Sequence, residues 1–408
     1  MEDRRTFLRA SAAAVAASRS VLGANDRIQL GLIGCGTRGG MLRRFFAAHR
    51  DCAIVAACDV SKSRLDQTVA AMGGKADAYG DYRRVLERKD IDAVVVATPD
   101  HWHSPITVQA CAAGKDVYVE KPVSNTIKAA QEMVTAARKY NRVVQVGLNQ
   151  RSTVHFQEAA KLVQDGYLGP ITHVVLSYGG GYTRPPEPVT DPPPDLDWEM
   201  FQGPAPRRPY KASRQRSWRS YYDYGGGLIT DWGVHLIDVG HWYLNANTKA
   251  PLLTSVSAQY VNVQVPERDQ VPDAFICSWQ YDKFVMSFTN TVIPNPGFGF
   301  EGSWFFGPRG CLLVHRNGYM IRAGQQGRPA AGGPPPVESQ MHPVREDYQN
   351  DVNSVAHARN FLDCVKSRQR PTVDIEVGFY STLPALLALL SIQQGRSFTW
   401  DGKAARPA

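Results

Sequence analysis

The sequence predicts an α/β protein of two domains, the first built on a parallel sheet and the second containing antiparallel strands. Up to about residue 150, short β-branched apolar runs alternate with amphipathic segments, which is typical of a parallel sheet covered on both faces by helices. Later runs such as TSVSAQYVNVQV, DAFICSWQY and KFVMSFTNTV alternate apolar and polar residues, as antiparallel strands do. With 408 residues and 43% hydrophobic content, the chain is long enough to bury both cores.

The apolar periodicity assigns the elements in order. Strands are predicted at 27–34, 53–59, 92–99, 116–120 and 142–147, and helices at 37–49, 105–115, 126–140, 151–170, 230–244, 351–365 and 381–395. The segment 179–210 is too long and proline-rich for regular structure, so a functional or disordered loop is expected there, and 324–338 is a second such loop.

The clearest motif of the first half is GCGTRG at residues 34–39. It follows a predicted strand and opens a predicted helix, and Asp59 ends the next strand about 20 residues later. Gly34 allows a tight turn, Gly36 lets the backbone approach a pyrophosphate, and Gly39 lets the helix pack closely on the strand. This context predicts a dinucleotide-binding domain of the Rossmann type.

Asp59 and the basic residues after it bear on the identity of the nucleotide. Its carboxylate would accept hydrogen bonds from the adenosine ribose and repel a 2′-phosphate, which favours NAD over NADP. Lys62 and Arg64 follow closely and either could meet that phosphate, so NADP stays open. Arg64, together with Thr37 and Arg38 of the glycine motif, is expected to contact the cofactor.

Five stretches together resemble one known family: GCGTRG, ACDVSKSR, VVVATPDHWH, DVYVEKP and DWGVHLIDVGHW. The chain resembles the Gfo/Idh/MocA family, which includes glucose–fructose oxidoreductase and inositol dehydrogenase. The resemblance implies a Rossmann domain at 27–150 and a substrate and oligomerisation domain at 151–408, the latter with a large open, mostly antiparallel sheet. It also implies a homo-oligomer, a dimer or tetramer, that associates through the face of this sheet.

The same resemblance implies the catalytic residues. Lys121 of VEKP would hydrogen-bond the substrate hydroxyl and assist proton transfer, and His235 would remove the hydroxyl proton, a role that the two could share. Asp231 is four residues before His235, on one face of a predicted helix, and would orient the imidazole or bind substrate. Asp238 is the competing orienting group and His241 the competing histidine.

Further site residues are expected around these. Thr98, Pro99 and His103, in a loop along the cofactor, and Glu120 and Lys121 of VEKP complete the expected cofactor contacts. Because no Cys or carboxylate completes a tetrahedral set with His101 and His103, no metal is expected. The expected substrate contacts are Asn149, Arg151, Tyr182, Arg219 and Trp232, with Trp198 and Tyr222 as further residues of the kind that recognise sugars.

Charge and the N-terminus limit the partners and the location. Part of the formal net charge of +8 lies at 207–219, in a loop that contains no nucleic-acid recognition module. We therefore expect these basic residues to surround the site of a polar or anionic substrate and not to bind nucleic acid. Arg4 and Arg5 before an alanine-rich run predict a twin-arginine export signal at 1–24, hence a periplasmic or secreted protein. No later segment is expected to reach the length of a membrane span.

The function expected from these features is hydride transfer between a nicotinamide cofactor and a sugar or polyol hydroxyl. An exported enzyme finds no pool of free NAD, so a tightly bound, internally recycled nucleotide is expected. The alternative is an NAD-dependent glycoside hydrolase or lyase that oxidises the sugar transiently and cleaves it by elimination. That reaction needs an additional base, for which His103, Tyr182 and Asp223 are candidates.

Overall fold

The computed structural model describes residues 27–182, 184–261, 269–290, 301–324, 336–344 and 350–408. The predicted export signal and most of the predicted loop at 324–338 lie outside these residues. Within them the chain forms two sheets, one of six strands and one of ten, with helices on both.

The first sheet is parallel throughout and has the strand order β3-β2-β1-β4-β5-β6. This order is that of a doubly wound dinucleotide-binding fold. Its strands are β1 (Ile28–Ile33), β2 (Cys52–Cys58), β3 (Asp77–Tyr79), β4 (Ala93–Val96), β5 (Asp116–Val119) and β6 (Val144–Val146). The short edge strand β3 was not predicted, because three residues carry too little periodicity.

Five helices accompany this sheet: α1 (Thr37–Ala47), α2 (Lys62–Ala70), α3 (Tyr82–Glu87), α4 (Asp100–Ala112) and α5 (Ile127–Lys139). Helix α4 begins at Asp100, so the DHWH segment forms its first turn and not the loop that was expected. Asp100, the first residue of this helix, is buried.

The second sheet has the order β14-β13-β12-β11-β7-β10-β9-β8-β15-β16 and is antiparallel except between β7 and β10. The expectation of a large, mostly antiparallel sheet is confirmed. Its strands are β7 (His173–Ser177), β8 (Leu253–Gln259), β9 (Ala274–Gln280), β10 (Val285–Thr289), β11 (Gly302–Gly307), β12 (Gly310–His315), β13 (Gly318–Ala323), β14 (Gln340–Pro343), β15 (Phe398–Trp400) and β16 (Ala405–Pro407).

The remaining helices are α6 (Val154–Gln164), α7 (Trp198–Gln202), α8 (Ala212–Arg216), α9 (Gly227–Asp231), α10 (Gly233–Tyr243), α11 (Asn350–Ser367) and α12 (Ile375–Gln394). The prediction of one helix over 230–244 is wrong, because the chain breaks at Trp232 between α9 and α10. At this break the carbonyl oxygen of Asp231 accepts a hydrogen bond from Nζ of Lys121, at 2.8 Å. Asp231 and His235 therefore do not lie on one continuous helical face.

The two C-terminal helices pack on different sheets. Helix α11 returns to the first sheet, where the ring of Phe361 meets Phe46 and Tyr118 edge-on at 6.1 and 5.9 Å. Helix α12 lies against the second sheet, and Trp279 Nε1 donates a hydrogen bond to the carbonyl of Pro384 in its middle. By length and mean hydropathy, 1.6, α12 is long and apolar enough to cross a membrane, so the expectation that no later segment reaches that length is wrong. Of its most apolar 18-residue window, 72% is buried inside the protein, as in a core helix.

Candidate functional site

A cavity of about 710 Å³ lies at the carboxyl ends of β1, β2, β4 and β5, between the two sheets. Ligands of open α/β sheets bind at this end of the strands. The second half of the chain closes the cavity with residues of α9, α10 and the β12–β13 turn. Of the predicted site residues, those that line it are Gly34, Gly36, Thr37, Arg38, Asp59, Arg64, Thr98, Pro99, His103, Glu120, Lys121, Asn149, Arg219, Asp231, Trp232 and His235.

The glycine turn has the geometry that a pyrophosphate needs. Gly34 has a φ of +97°, which favours glycine, and a Cβ there would lie 2.6 Å from the Ala97 carbonyl. A Cβ on Gly39 would meet the carbonyl oxygen of Gly34, so Gly39 supports the turn without lining the cavity. Gly36 is the N-cap residue of α1 and has no side chain to accept a hydrogen bond from the first turn. The N–H groups of this turn are therefore open to an anion. These residues fit a dinucleotide.

Asp59 is fixed to the same turn. Its two carboxylate oxygens accept hydrogen bonds from the backbone N–H groups of Cys35, at 2.7 Å, and Ser61, at 2.8 Å. Burial raises the pKa of Asp59, although these hydrogen bonds oppose the change. The Arg64 guanidinium lies over the turn, with Nη1 3.8 Å from where a Gly36 Cβ would be, and so faces the expected phosphates.

Arg38 and Glu120 connect the glycine motif to the VEKP motif. Nε of Arg38 donates to Oε1 of Glu120 at 2.7 Å. Burial disfavours the charged guanidinium, but Glu120 and Tyr118 outweigh it, and the pKa of Arg38 is raised. A Cβ on Gly147 would lie 2.6 Å from Oε1 of Glu120, so the glycine makes room for this pair.

Lys121 and Asp231 form the centre of the site. Nζ of Lys121 donates to Oδ1 of Asp231 at 2.7 Å, and Nε of Arg219 lies 3.1 Å from the same oxygen. The Tyr182 hydroxyl donates to Oδ2 at 2.5 Å. Burial favours the neutral acid, but Lys121 and Arg219 outweigh it and hold the pKa of Asp231 well below its usual range. Asp231 is therefore a permanent anion between two cations.

His235 lies beside this cluster, and its ring lines the cavity. Burial, and then the charges of Lys121 and Arg316, hold the pKa of His235 well below its usual value, so the imidazole is neutral at pH 7. Its Nδ1 is buried without a hydrogen-bond partner in the described part of the chain. Neither carboxylate considered from the sequence orients it: Asp231 is engaged by Lys121 and Tyr182, and Asp238 by Arg151.

Several expected contacts lie outside the cavity. Arg151 forms a buried two-point ion pair with Asp238, at 2.8–3.0 Å, where the expectation was a substrate contact. Tyr182 reaches the site only through Asp231. His241 bonds the Tyr281 hydroxyl in the core. Three further candidates, Trp198, Tyr222 and Asp223, do not line the cavity. Trp198 stacks on Phe201, and Asp223 forms an ion pair with Arg208.

His101 and His103 make hydrogen bonds to backbone carbonyls. Both ring nitrogens of His103 lie 2.7–2.9 Å from the carbonyl oxygens of Pro122 and Thr98, and Nε2 of His101 lies 2.9 Å from that of Phe201. Among the residues in the described ranges, no group of three His, Cys, Asp or Glu side chains is placed to hold a metal ion.

The contributions to the cavity that were missed from the sequence include one arginine, one aspartate and one segment of the predicted loop. Arg316 comes from the β12–β13 turn, where the sequence gives no local signal. Asp100, in DHWH, is fully buried at the start of α4 and lines the cavity. Residues 191–203, called the strap here, belong to the predicted loop and contribute Leu196, Met200 and Phe201 to the cavity.

The strap is held to the first domain by hydrogen bonds on both sides of the glycine turn. The backbone N–H of Lys62 donates to the Asp195 carbonyl at 2.8 Å, and Ser63 Oγ donates to its carboxylate at 2.6 Å. Nε1 of Trp102 donates to the Phe201 carbonyl at 2.9 Å. Leu196, Met200 and Phe201 line the cavity as a result.

A doubly wound sheet with a glycine turn, closed by a second α/β domain that brings an amine and an imidazole together, is the architecture of a dinucleotide-binding protein with a candidate active site. Residues 28–148 match the family description "Oxidoreductase family, NAD-binding Rossmann fold", and residues 152–280 match its C-terminal α/β domain. The chain belongs to the Gfo/Idh/MocA oxidoreductase family. NAD is the nucleotide of this family's first domain, as the sequence predicted.

Curated relatives share part of the chain. A glycosyl hydrolase family 109 protein of Shewanella sp. (strain ANA-3) is 29% identical over 290 residues, 63% of this chain and 59% of its own length. An inositol 2-dehydrogenase of Klebsiella pneumoniae subsp. pneumoniae is 32% identical over 163 residues, 38% of this chain and 48% of its own. The chain thus spans about half the length of the curated relatives it matches.

Solved structures share the fold over nearly the whole chain. Levoglucosan dehydrogenase in complex with NADH and levoglucosan has a TM-score of 0.66 and 17% identity, covering 91% of this chain and 98% of its own. An aldose-aldose oxidoreductase of Caulobacter crescentus has a TM-score of 0.63 and 21% identity, covering 92% of this chain and 100% of its own. At these identities the likeness shows the fold alone.

Proposed function

We propose that this protein is an NAD-dependent oxidoreductase that acts on the CH–OH group of a sugar or polyol. The observation that carries the proposal is the meeting of Lys121, from the first domain, with Asp231 and His235, from the second, in the cavity that holds the glycine turn. Relatives named as inositol 2-dehydrogenase and levoglucosan dehydrogenase support this substrate class. When bound, the nicotinamide ring accepts or returns the hydride of the substrate carbon.

The residues of the chain handle the proton. Asp231 uses two of the three Nζ hydrogens of Lys121, through its carboxylate and its carbonyl, and the third is free for a substrate oxygen. That hydrogen bond stabilises the charge that develops when the hydroxyl loses its proton. His235 is neutral and therefore able to accept the proton. Asp231 positions Lys121 and is shared with Arg219.

The test is oxidation of a panel of sugars and polyols by the purified protein, followed by nucleotide absorbance. We expect NADH to form with at least one of them, and Lys121→Ala to abolish most of the rate. A folded, nucleotide-loaded protein that oxidises none of these compounds would contradict the proposal.

The strap supports a second part of the proposal, a nucleotide that stays bound between turnovers. Since Leu196, Met200 and Phe201 cover the cavity, a nucleotide lying there leaves only after the contacts of Asp195 and Trp102 break. A retained nucleotide must be reoxidised in place by a second carbonyl substrate or by the same molecule. Mass spectrometry of the protein as purified tests this: an empty protein that readily turns over added NAD contradicts it.

Export and assembly complete the proposal. The arginine pair at 4–5 and the alanine-rich run support export of the folded, loaded protein through the twin-arginine route to the periplasm or beyond. Exposed apolar side chains on the second sheet, Ile276, Phe306 and Met341, support a homo-oligomer that associates through this sheet, without nucleic acid and without membrane insertion. Fractionation of Arg4→Lys/Arg5→Lys cells and the mass of the protein in solution test these two points.

The alternative, cleavage of a glycoside by transient oxidation and elimination, is favoured by the similarity to a glycosyl hydrolase family 109 protein. It needs a further base in the cavity, and the three candidates are all engaged: His103 by two carbonyls, Tyr182 by Asp231, and Asp223 by Arg208. Release of an aglycone from chromogenic glycosides without net NADH formation would establish this alternative.

A further inference from the structure

Within the described ranges, Arg64 and Arg316 are the two cations of the cavity that form no ion pair with a carboxylate, and Arg64 lies over the glycine turn. Arg316 reaches in from the β12–β13 turn, and its Cζ lies 4.2 Å from the ring centroid of Trp232. Trp232 in turn stacks on Tyr178, with the ring centroids 3.5 Å apart. In the part of the chain that the structure describes, no Asp or Glu forms an ion pair with Arg316. Burial lowers the pKa of Arg316, and the charge of Asp231 opposes this change without reversing it.

The other charges around Arg316 leave a positive excess. Asp231 is already shared by Lys121 and Arg219. His235 is neutral, and burial raises the pKa of Asp100 well above its usual value, which favours its neutral form. A partly buried guanidinium without a counter-ion is costly, because desolvation is not compensated by an ion pair. The site is therefore incomplete without an anion.

We propose that the substrate is an acidic sugar or polyol whose carboxylate binds to Arg316. The planar guanidinium matches both oxygens of a carboxylate, and its position over the Trp232 ring holds it in the cavity. Bound in this way, the carboxylate lies beside Trp232, whose ring centroid is 6.1 Å from that of His235. This inference rests on the proposed oxidoreductase function and narrows its substrate class.

The nucleotide supplies two other anions, its phosphates, but their place is elsewhere. The open N–H groups of α1 and the Arg64 guanidinium meet at the glycine turn, which belongs to the first domain. Arg316 belongs to the second domain and lies against Trp232, next to His235. Sulfate and phosphate esters of sugars share the oxyanion chemistry of a carboxylate, so the experiment includes them.

The experiment compares neutral, carboxylate, phosphate-ester and sulfate-ester forms of the same sugars as substrates of the loaded enzyme. The variants are Arg316→Gln, Arg316→Lys, and, as a matched control, Arg322→Gln, which removes an exposed arginine from the same hairpin. For each, kcat/KM, nucleotide content and thermal unfolding are measured. We expect the native enzyme to prefer the carboxylate over the neutral form by at least about tenfold. Arg316→Gln should lower this preference by about 10- to 100-fold.

The remaining outcomes separate the explanations. Arg316→Lys keeps the positive charge but loses the planar guanidinium that binds both carboxylate oxygens, so it should show an intermediate preference for the carboxylate substrate. If Arg316→Gln does not fold, Arg316→Lys is the variant whose preference is measured. Equal use of acidic and neutral sugars, or a preference that survives Arg316→Gln, overturns the inference and leaves the oxidoreductase function standing. A preference of the native enzyme for a phosphate or sulfate ester over the carboxylate also overturns the inference. So does an Arg316→Gln variant that loses the nucleotide but keeps the preference for the carboxylate. Failure to oxidise any compound overturns the function itself.

Discussion

Lys121 and Asp231 join the two halves of the molecule, with Nζ of the lysine 2.7 Å from Oδ1 of the aspartate. Lys121 follows a strand of the first sheet, and Asp231 ends α9, which packs against α10 and α12 of the second domain. The direction of the remaining Nζ hydrogen is therefore set by the contact between the domains. The proposed chemistry exists only while that contact is closed.

Replacing Lys121 or His235 by alanine should slow hydride transfer by about 10²- to 10⁴-fold, because each removes a group that handles the hydroxyl proton. Single-turnover absorbance of the nucleotide measures this step. Lys128→Ala, at an exposed lysine of α5, is the matched control. Near-normal rates in both alanine variants, with the nucleotide bound, would refute the assignment.

The pH dependence of the reaction should reflect the depressed pKa of His235. A base acts in its unprotonated form, so a lowered pKa keeps the enzyme active to more acidic pH. The rate should thus be independent of His235 protonation around neutral pH and fall only well below 6.5. Removing the nearby cation in Lys121→Ala raises this pKa and should shift the acid limb of the residual rate upward. An acid limb near pH 6.5 in the native enzyme would contradict this account.

Gly39→Ala should disrupt the glycine turn, because the new Cβ would meet the carbonyl oxygen of Gly34. We expect a loss of about 1–3 kcal/mol in the free energy of unfolding and a fall in nucleotide content. Gly40→Ala is the neighbouring control, since a Cβ there has no atom within 4 Å. Denaturant unfolding of the nucleotide-free protein compares the two, and equal stability would show that the close approach is unimportant.

Asp195→Ala should accelerate loss of the nucleotide by about 3- to 10-fold, because the strap loses side-chain hydrogen bonds that hold it to the first domain. The bonds concerned are those from Ser61 and Ser63 to the Asp195 carboxylate. Asp191→Ala, at an exposed position of the same strap, is the control. Fluorescence of bound NADH during dilution gives the rate, and an unchanged rate would mean that the strap does not retain the nucleotide.

Much of the site was predictable because its signals are local. The glycine motif, Asp59 and VEKP each follow a buried strand, and strands of a parallel sheet present their carboxyl ends at one edge. By contrast, the pairing of Asp231 could not be read from its spacing to His235, since the helix breaks at Trp232 and the carboxylate turns to Lys121, 110 residues away in the sequence.

Periodicity and short motifs were enough to predict the class of fold and the glycine turn, because both report local structure, whereas Lys121 and His235 were assigned through the family resemblance. The charge environment of the cavity, by contrast, depends on tertiary packing. Arg151 and Arg316 are both arginines outside any motif, yet one is buried against Asp238 and the other faces the cavity over Trp232. What an arginine pairs with depends on which distant side chains the packing brings within a few ångströms, and no local pattern encodes that distance.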